Sequence, residues 1–352
     1  MIATLRVTDT GWLTTFQDLG RVGSEQRGVP TGGAADQHSA SVANLLVGNP
    51  RGAALVESVG GELALVPDRD VLVAVTGAPA YVTVGDLEIE RWTPVLVPAG
   101  CELRVSDIHS GTRVYVAVGG ALRAPRLLGS VAPDVRMGFP QTIATGSAIE
   151  VETGFAGFDP AALDALADDE AALRLPVPEL CFGEGEQGEW TVDVVESAEL
   201  DRVPGMRELL AETLYTVTDR SNHVGLRLDG AVTHPESDEE IVSHGVPVGA
   251  LEVPHADELI VLGRYRSLTA GYPIVGFATR ASLPVLGQAG PGRALRFRWV
   301  DRRDAVLRHA AREHELRALE IAVRDSFARL GYSPRATPAS ALAEPGQHPT
   351  TR

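Results

Sequence analysis

The chain contains no lysine, and all 31 of its basic residues are therefore arginine. A Walker-type phosphate loop needs a lysine to reach the phosphates of a bound nucleotide. A lysine is equally necessary for an imine with a substrate carbonyl and for the covalent attachment of biotin. The sequence therefore excludes these three chemistries from the chain itself, while arginine remains available to bind carboxylates and phosphates.

Cysteine and long apolar runs are also scarce. The two cysteines, Cys101 and Cys181, lie far apart and form neither a disulfide framework nor a metal-binding spacing. No stretch approaches the roughly 18 apolar residues of a membrane-spanning helix. The first residues lack a charged segment followed by an apolar run. We therefore expect a cytoplasmic protein that does not enter a membrane.

Basic residues are outnumbered by acidic ones, which gives a formal net charge of −16 and a pI of about 5.0. Nucleic acids and anionic membranes bind clustered basic surface, because their phosphates carry negative charge. We therefore expect neither as a partner. The nine histidines also include no standard zinc-binding spacing, so we expect no metal site.

The arrangement of short apolar runs and turn residues predicts a mainly β protein. Between Asp70 and Ala121, runs such as Val71–Val75 and Arg113–Val118 end at glycine or proline turns. Strands of this length without intervening helices are typical of an antiparallel barrel or sandwich. A second β-rich region of the same kind begins near Glu179.

These patterns divide the chain into five predicted parts. Each part differs from its neighbours in apolar periodicity or in its content of proline, alanine and acidic residues. The parts are a β-rich half with a glycine-rich polar loop and a helix (1–155), a helical connector (156–178), a second β-rich half (179–300), a helix with one apolar stripe (301–331) and a disordered tail (332–352).

Residues 14–57 hold many polar side chains among glycines. Glycines such as Gly20 and Gly33 let the backbone turn tightly and approach a ligand. A helix is predicted from about Ala35 to Val47, with Gly48 ending it. Polar groups on a loop beside a helix start indicate a site for a small molecule or an anion. The polar side chains are Gln17, Asp18, Arg21, Arg27, Asp36, His38, Asn44 and Glu57.

Several segments of this stretch together resemble the opening of a known family. They are Gln17–Arg21, Gly28–Pro30, Ala43–Asn44 and Leu46–Pro50. The family is KipA, also known as the C component of 5-oxoprolinase, allophanate hydrolase subunit 2 or the biotin-dependent carboxyltransferase domain of urea carboxylase. The resemblance continues to about residue 300 through four further segments, which are 113–120, 221–230, 243–254 and 269–273.

Five positions in the second half depart from the family's pattern. His223 replaces the usual arginine, His244 a glutamate and Glu252 a glutamine. On either side of the retained Arg266, Tyr265 stands in place of an acid and Ser267 in place of a glutamine. These changes predict either a shifted substrate specificity or a loss of substrate contacts in this half. The polar loop of the first half matches the family more closely.

The resemblance implies a mainly β chain whose two barrel-like halves have cyclophilin-like character. It also implies a hetero-oligomeric complex with a KipI-like partner (the B component of 5-oxoprolinase, or allophanate hydrolase subunit 1) and, in the 5-oxoprolinase branch, a third subunit. That complex uses ATP to open 5-oxoproline to glutamate. Because this chain has no lysine, we expect ATP to bind with a partner subunit and biotin to be absent from this chain.

Activation of an unreactive amide needs donors for the developing oxyanion and a carboxylate for the proton. We therefore predict Asp18, Arg21 and Glu57 as catalytic residues. Asp18 and Arg21 are equally able to pair and brace the glycine loop, and Glu57 is equally compatible with a buried ion pair. The predicted substrate-binding residues are Asn44, Arg227, Arg266 and Tyr272.

Two alternative functions fit the same residues. The chain could be a regulatory subunit that binds a KipI-like protein and catalyses nothing alone. It could also be a carboxyltransferase acting on urea or a related amide, with biotin on another chain. The favoured function is that of a hydrolase subunit, active only in its complex, that acts on the cyclic amide 5-oxoproline.

Overall fold

The computed structural model describes residues 1–158, 161, 175–180, 182–183, 185, 188–234, 241–254 and 258–333. The predicted connector (156–178) and tail (332–352) lie largely outside these residues, as do Cys181 and His255. The four described helices are α1 (Gln37–Leu46), α2 (Met206–Glu212), α3 (Leu283–Gln288) and α4 (Arg302–Arg329).

The first half consists of two packed β-sheets. One has the strand order β11-β12-β1-β4-β9-β6-β7 and the other has the order β2-β3-β10-β5-β8, with antiparallel pairing throughout. Its strands are β1 (Ile2–Asp9), β2 (Leu13–Gln17), β3 (Leu55–Val59), β4 (Leu63–Pro67), β5 (Val71–Gly77), β6 (Tyr81–Val84), β7 (Leu87–Glu88), β8 (Pro94–Val97), β9 (Leu103–Ser106), β10 (Arg113–Val118), β11 (Ala121–Arg123) and β12 (Ala148–Glu152).

The second half is a closed barrel of the order β13-β20-β17-β18-β15-β14-β21, with a two-stranded ribbon of β16 and β19 beside it. Barrel closure leaves no unpaired strand edge in the sheet. Its strands are β13 (Trp190–Glu196), β14 (Leu214–Val217), β15 (Gly225–Asp229), β16 (His244–Gly245), β17 (Ala250–Glu252), β18 (Leu259–Leu262), β19 (Thr269–Ala270), β20 (Ile274–Ala278) and β21 (Ala294–Trp299).

Alternation along the central strand β10 decides what each face of the five-stranded sheet contacts. Successive side chains of a strand point to opposite faces. Val114, Val116 and Val118 therefore join the core between the two sheets. Tyr115 and Ala117 face the other way, into a second core that includes α1, the barrel and α4. The outer face of the sheet is thus the surface on which the second half packs.

The helix α1 lies between this sheet and α4. Asp36 caps it by accepting a hydrogen bond from the N–H of Ser39, and the helix ends before Gly48, whose φ is 76°. Every residue from His38 to Leu46 is buried. The long helix α4 contributes one buried stripe at three- and four-residue spacing, consisting of Leu316, Leu319, Val323 and Phe327.

The predicted mainly β fold class, with few helices and a helix near the C-terminal end, is confirmed. The first half encloses its core between two sheets, whereas the second half closes into a barrel. Among the described residues, no helix combines the length and apolar character needed to cross a membrane.

Candidate active-site cavity between the two halves

A cavity of about 220 Å³ lies between the outer face of the five-stranded sheet and the barrel. Strands β2, β3 and β10 supply one wall. Strands β15 and β18, helix α3 and the loop after β18 supply the opposite wall. The polar side chains that line it are Thr15, Gln17, Glu57, Arg113, Asn222, His223, Arg264 and Tyr265.

The wall formed by the sheet follows from strand register. Glu57 on β3 pairs with Thr15 on β2 and with Tyr115 on β10. Partners in register share a face, so these side chains form one row across three strands. The next row contains Leu13, Val59 and Arg113. Alternation and register together thus place the first half's cavity residues on a single surface.

Glu57 is the buried carboxylate of this wall, with 6% of the residue exposed. Its Oε2 accepts a hydrogen bond of 3.1 Å from the N–H of Ala35, at the start of the segment that leads into α1. Its Oε1 lies 4.0 Å from Nε of Arg113. The carboxylate thus has one oxygen bonded to the backbone and the other beside a guanidinium at the cavity wall. Glu57 is therefore placed to accept a proton from a bound molecule.

The guanidinium of Arg113 is hydrogen-bonded through one nitrogen, while another lacks a partner among the described residues. Its Nη1 donates to the carbonyl of Gly287 on α3 and, at 2.8 Å, to the hydroxyl of Thr112. Its Nε is buried and has no hydrogen-bond partner among the described residues. The guanidinium therefore retains a donor for a ligand that enters beside Glu57.

The barrel wall brings three further polar side chains to the cavity. Burial lowers the pKa of Arg264 to about 10, although nearby Tyr115 opposes this change. This value still leaves Arg264 charged at neutral pH. Burial raises the pKa of Tyr265 to about 12, which keeps its hydroxyl protonated as a donor. Burial and the neighbouring Arg136 lower the pKa of His223, whose ring meets that of Tyr265 edge-on at 5.3 Å.

Several buried polar atoms without a partner line this cavity, while others lie elsewhere among the described residues. In the part of the chain that the structure describes, four lining side chains have such atoms, namely Gln17 Oε1, Arg113 Nε, Arg264 Nε and Tyr265 Oη. An unpaired buried polar atom costs about 1–3 kcal/mol, so folded proteins rarely collect them without a function. Three donors, one acceptor and the Glu57 carboxylate are therefore arranged for a small polar ligand.

Asp18 lies outside the cavity and holds the polar loop in place. Its Oδ1 accepts hydrogen bonds from the N–H of Gly20 (2.8 Å) and the hydroxyl of Ser130 (2.6 Å). Its Oδ2 accepts one from the N–H of Val131 (3.0 Å) and lies 3.6 Å from Nη1 of Arg126. These contacts use most of the hydrogen-bonding capacity of the carboxylate and connect two loops. A catalytic role for Asp18 stays a prediction.

Arg21 is buried next to the same two loops. Its Nη2 donates to the carbonyl of Ala132, and its Nη1 lies 3.8 Å from Oδ2 of Asp134. Asp18 and Arg21 therefore hold segment 127–134 through separate contacts. The catalytic role predicted for Arg21 is likewise untested by its position.

The predicted substrate-binding residues lie in other places. Asn44 on α1 donates to the carbonyl of Ala53 at 2.9 Å, within the first half. Arg227 pairs with Glu258 on the barrel. Nε of Arg266 donates to the carbonyl of Val246 at 2.6 Å, and its Nη2 lies 3.8 Å from Oε1 of Glu25. Arg266 therefore links the two halves beside the cavity. These roles stay predictions, as does that of the exposed Tyr272.

The departures from the family pattern lie in two regions. His223 lines the cavity. His244 is on the two-stranded ribbon, where its Nε2 lies 3.4 Å from Oε1 of Glu199. Burial raises the pKa of Glu252, although nearby His244 opposes this change. Ser267 is exposed. Among the described residues, no group of histidine, cysteine and acidic side chains could hold a metal ion.

Sequence reasoning did not select Thr15, Arg113, Arg264 or Tyr265. A signal existed for Arg113, which opens the segment 113–120 with alternating apolar residues, and for the pair Arg264 and Tyr265, which directly precedes Arg266. What was missing was the pairing of distant strands and the packing of the two halves, on which the cavity depends.

Comparison with known proteins places most of the chain in one family. The model of the carboxyltransferase domain, subdomain A and B, matches residues 27–299. The C component of 5-oxoprolinase from Escherichia coli is 28% identical over 300 residues, which cover 83% of this chain and 90% of that protein. The urea amidolyase of Lachancea kluyveri is 26% identical over 83% of this chain, but only 16% of its own length is covered.

Solved structures agree with this comparison. The crystal structure of TTHA0988 matches with a TM-score of 0.71 and 26% identity, over 84% of this chain and 56% of that one. This chain thus spans about half the length of that protein. The urea amidolyase of K. lactis has the same fold, with a TM-score of 0.77 over 90% of this chain at 20% identity. The chain therefore belongs to the carboxyltransferase domain family, subdomain A and B, which confirms its resemblance to the KipA family.

Proposed function

We propose that this chain is the KipA-like subunit of an ATP-dependent complex that opens 5-oxoproline to glutamate, and that the cavity between the halves binds the cyclic amide. Support comes from two relatives named as the C component of 5-oxoprolinase, of which this chain covers 90% and 92%. The single observation that carries the proposal is the set of unpaired buried donors around the Glu57 carboxylate, with Arg113 beside it and Arg264 and Tyr265 on the opposite wall.

The donors suit the acidic group of such a substrate. Arg113 and Arg264 each have a buried Nε without a partner among the described residues, and guanidinium groups bind carboxylates with directed hydrogen bonds. In the proposed complex these two side chains hold the carboxylate of 5-oxoproline. Gln17 Oε1, the unpaired acceptor, receives the N–H of the lactam.

The remaining groups suit the reacting amide. Tyr265 is protonated at neutral pH, and burial raises its pKa further, to about 12, so its hydroxyl donates to the oxyanion that forms on the lactam carbonyl. Glu57 accepts a proton from the water that attacks the lactam carbonyl and returns it to the ring nitrogen as the C–N bond breaks, so that one water is added across this bond. Asp18 and Arg21 support these groups from behind by fixing the polar loop.

The cavity suits a small cyclic amide better than ATP. The chain has no lysine, and the arginines of the cavity flank a space of about 220 Å³ whose walls include a carboxylate. We therefore propose that the KipI-like partner binds ATP and that a third subunit completes the complex. No step of the mechanism on this chain passes through the nucleotide.

A second candidate function is carboxyl transfer to urea or a related amide. The matching family model is that of a carboxyltransferase domain, and urea amidolyases are among the relatives. Biotin would have to be attached to another chain, because this one has no lysine to receive it. The same cavity would then bind the amide nitrogen that accepts the carboxylate.

The test is ATP-dependent release of glutamate from 5-oxoproline, assayed with this chain alone and with its co-purifying subunits. Turnover only in the complex is the expected result. Turnover that requires biotin and is blocked by avidin supports the carboxyltransferase instead. A stable complex with a KipI-like protein and no turnover on either amide overturns both and favours the regulatory role.

A further inference from the structure

Helix α3 of the barrel half ends in a glutamine that contacts the first half at several points. Gln288 is fully buried. Its Nε2 donates to Oδ2 of Asp36 at 2.9 Å. Its Oε1 accepts from the backbone N–H of Arg113 at 3.0 Å and from that of Thr112 at 3.3 Å. One side chain of the second half thereby holds both the cap of α1 and the start of β10.

These partners leave the amide a single orientation. Asp36 offers only an acceptor, and the two backbone groups offer only donors. A flipped amide would place its NH₂ group against two N–H groups and its oxygen against a carboxylate. The contact is therefore specific for glutamine at this position, and not a general packing contact.

The backbone of α3 acts on the same arginine. The carbonyl of Gly287 accepts from Nη1 of Arg113. A Cβ atom at position 287 would lie 2.5 Å from the carbonyl oxygen of Ala35, so glycine is what allows this close approach. Arg113 is thus held through its backbone by Gln288 and through its guanidinium by Gly287, while its Nε, beside Glu57, has no hydrogen-bond partner in the described part of the chain.

We propose that Gln288, which does not line the cavity, is a positioning residue that sets the guanidinium of Arg113 for the carboxylate of the substrate. The inference rests on the proposed function in taking the cavity as the substrate site. It adds that the second half influences substrate affinity in the first half through α3, since Gln288 and Gly287 both contact Arg113.

The main test compares Gln288→Met with the natural complex. Methionine keeps the length and approximate volume of glutamine but removes both hydrogen-bonding atoms. We expect KM for 5-oxoproline to rise about tenfold, as for the weakening of one charge-assisted hydrogen bond, with kcat within about twofold. Ser282→Ala is the matched control, because Ser282 also anchors α3 but bonds to Asp193 within the second half. It should leave KM unchanged.

A complementary exchange provides the rescue. Gln288→Glu alone sets a carboxylate against Asp36 and should raise KM at least as far. Adding Asp36→Asn restores a donor opposite the new carboxylate and keeps a residue that caps helices well. The double variant should return KM to within about threefold of the natural value, which a purely destabilising effect would not produce.

A second readout needs no substrate. In protein labelled with ¹⁵N-arginine, the Nε–H signal that disappears in Arg113→Lys belongs to Arg113. We expect Gln288→Met to shift or broaden that signal and Ser282→Ala to leave it in place. An unmoved signal overturns the inference whether or not the complex opens 5-oxoproline. A moved signal with unchanged KM in an active complex overturns it as well, whereas an inactive natural complex counts against the proposed function alone.

Discussion

Oε1 of Glu57 lies 4.0 Å from Nε of Arg113, on neighbouring strands and at the wall of the same cavity. The two atoms are too far apart for a normal hydrogen bond, and Arg113 Nε has no other partner in the described part of the chain. The Glu57 carboxylate and the Arg113 guanidinium therefore lie side by side without a hydrogen bond between them. A molecule in the cavity can bind to both groups. Four predictions test this cavity and its surroundings.

Glu57→Gln should abolish most of the turnover while leaving the complex intact. The amide oxygen of glutamine can still accept the hydrogen bond from Ala35, so the fold is retained, but the proton acceptor is lost. We expect kcat to fall by about 10²–10⁴-fold, the usual contribution of a general base. Steady-state kinetics and size-exclusion chromatography measure the two effects.

The control for this variant is Glu62→Gln, in which an exposed glutamate that pairs with Arg104 loses its charge. It should keep kcat within about twofold, because surface ion pairs contribute little. Equal losses in the two variants would contradict a specific role for Glu57.

Tyr265→Phe should lower activity without lowering stability. Its buried hydroxyl makes no hydrogen bond of normal geometry among the described residues, although nearby Gln17 acts to lower its pKa, so its removal should cost the empty protein little stability. We expect an unchanged or higher melting temperature and a kcat that falls by roughly 10²-fold or more, as for the loss of one oxyanion donor.

Tyr215→Phe is the matched opposite case. The hydroxyl of Tyr215 donates to the carbonyl of Ala231 at 2.7 Å, away from the cavity. Its loss should cost about 1 kcal/mol of unfolding free energy and leave kcat unchanged. The idea that the Tyr265 hydroxyl awaits a ligand fails if Tyr265→Phe is the less stable of the two variants.

Asp18→Asn should act mainly on stability. One carboxylate oxygen accepts from Gly20 and Ser130 and the other from Val131, so an amide NH₂ in either place must oppose a donor. We expect a loss of about 2 kcal/mol in the free energy of unfolding, measured by denaturant titration. Full stability with a loss of turnover larger than a hundredfold would instead support the catalytic role predicted from sequence.

The stability of the protein should fall as the pH drops below about 6.5, the ordinary pKa of histidine. Burial lowers the pKa of His38, and Arg312 acts in the same direction, although Asp36 opposes both. Below pH 6.5 the unfolded chain therefore binds a proton before the folded protein does. Protonation of one such histidine lowers the free energy of unfolding by at most about 1.4 kcal/mol per pH unit. This loss begins near pH 6.5 and ends at the lowered pKa of the folded state.

Denaturant titrations at several pH values between 5 and 8 measure this slope. His38→Gln should flatten it, whereas His314→Gln, which changes an exposed residue of α4, should not. If both variants retain the full slope, the buried imidazole of His38 is not its source.

Local sequence patterns were sufficient to locate several strands and helices of this protein. Val71–Val75 and Arg113–Val118 are recognisable as strands because apolar β-branched residues end at glycine, and the helix that was predicted from about Ala35 to Val47 is found at Gln37–Leu46. The family resemblance and the absence of lysine were also properties of the sequence alone. Each depends on residues that are close along the chain or on composition.

The identity of the cavity residues depended on tertiary structure. Alternation shows that Glu57 and Leu55 share a face, but only the register of β2, β3 and β10 shows that Thr15 and Tyr115 join them. Only the packing of the barrel on that face brings Arg264 and Tyr265 opposite Glu57. Contacts between residues so distant along the chain arise from the cooperative burial of a shared core, which no local pattern encodes.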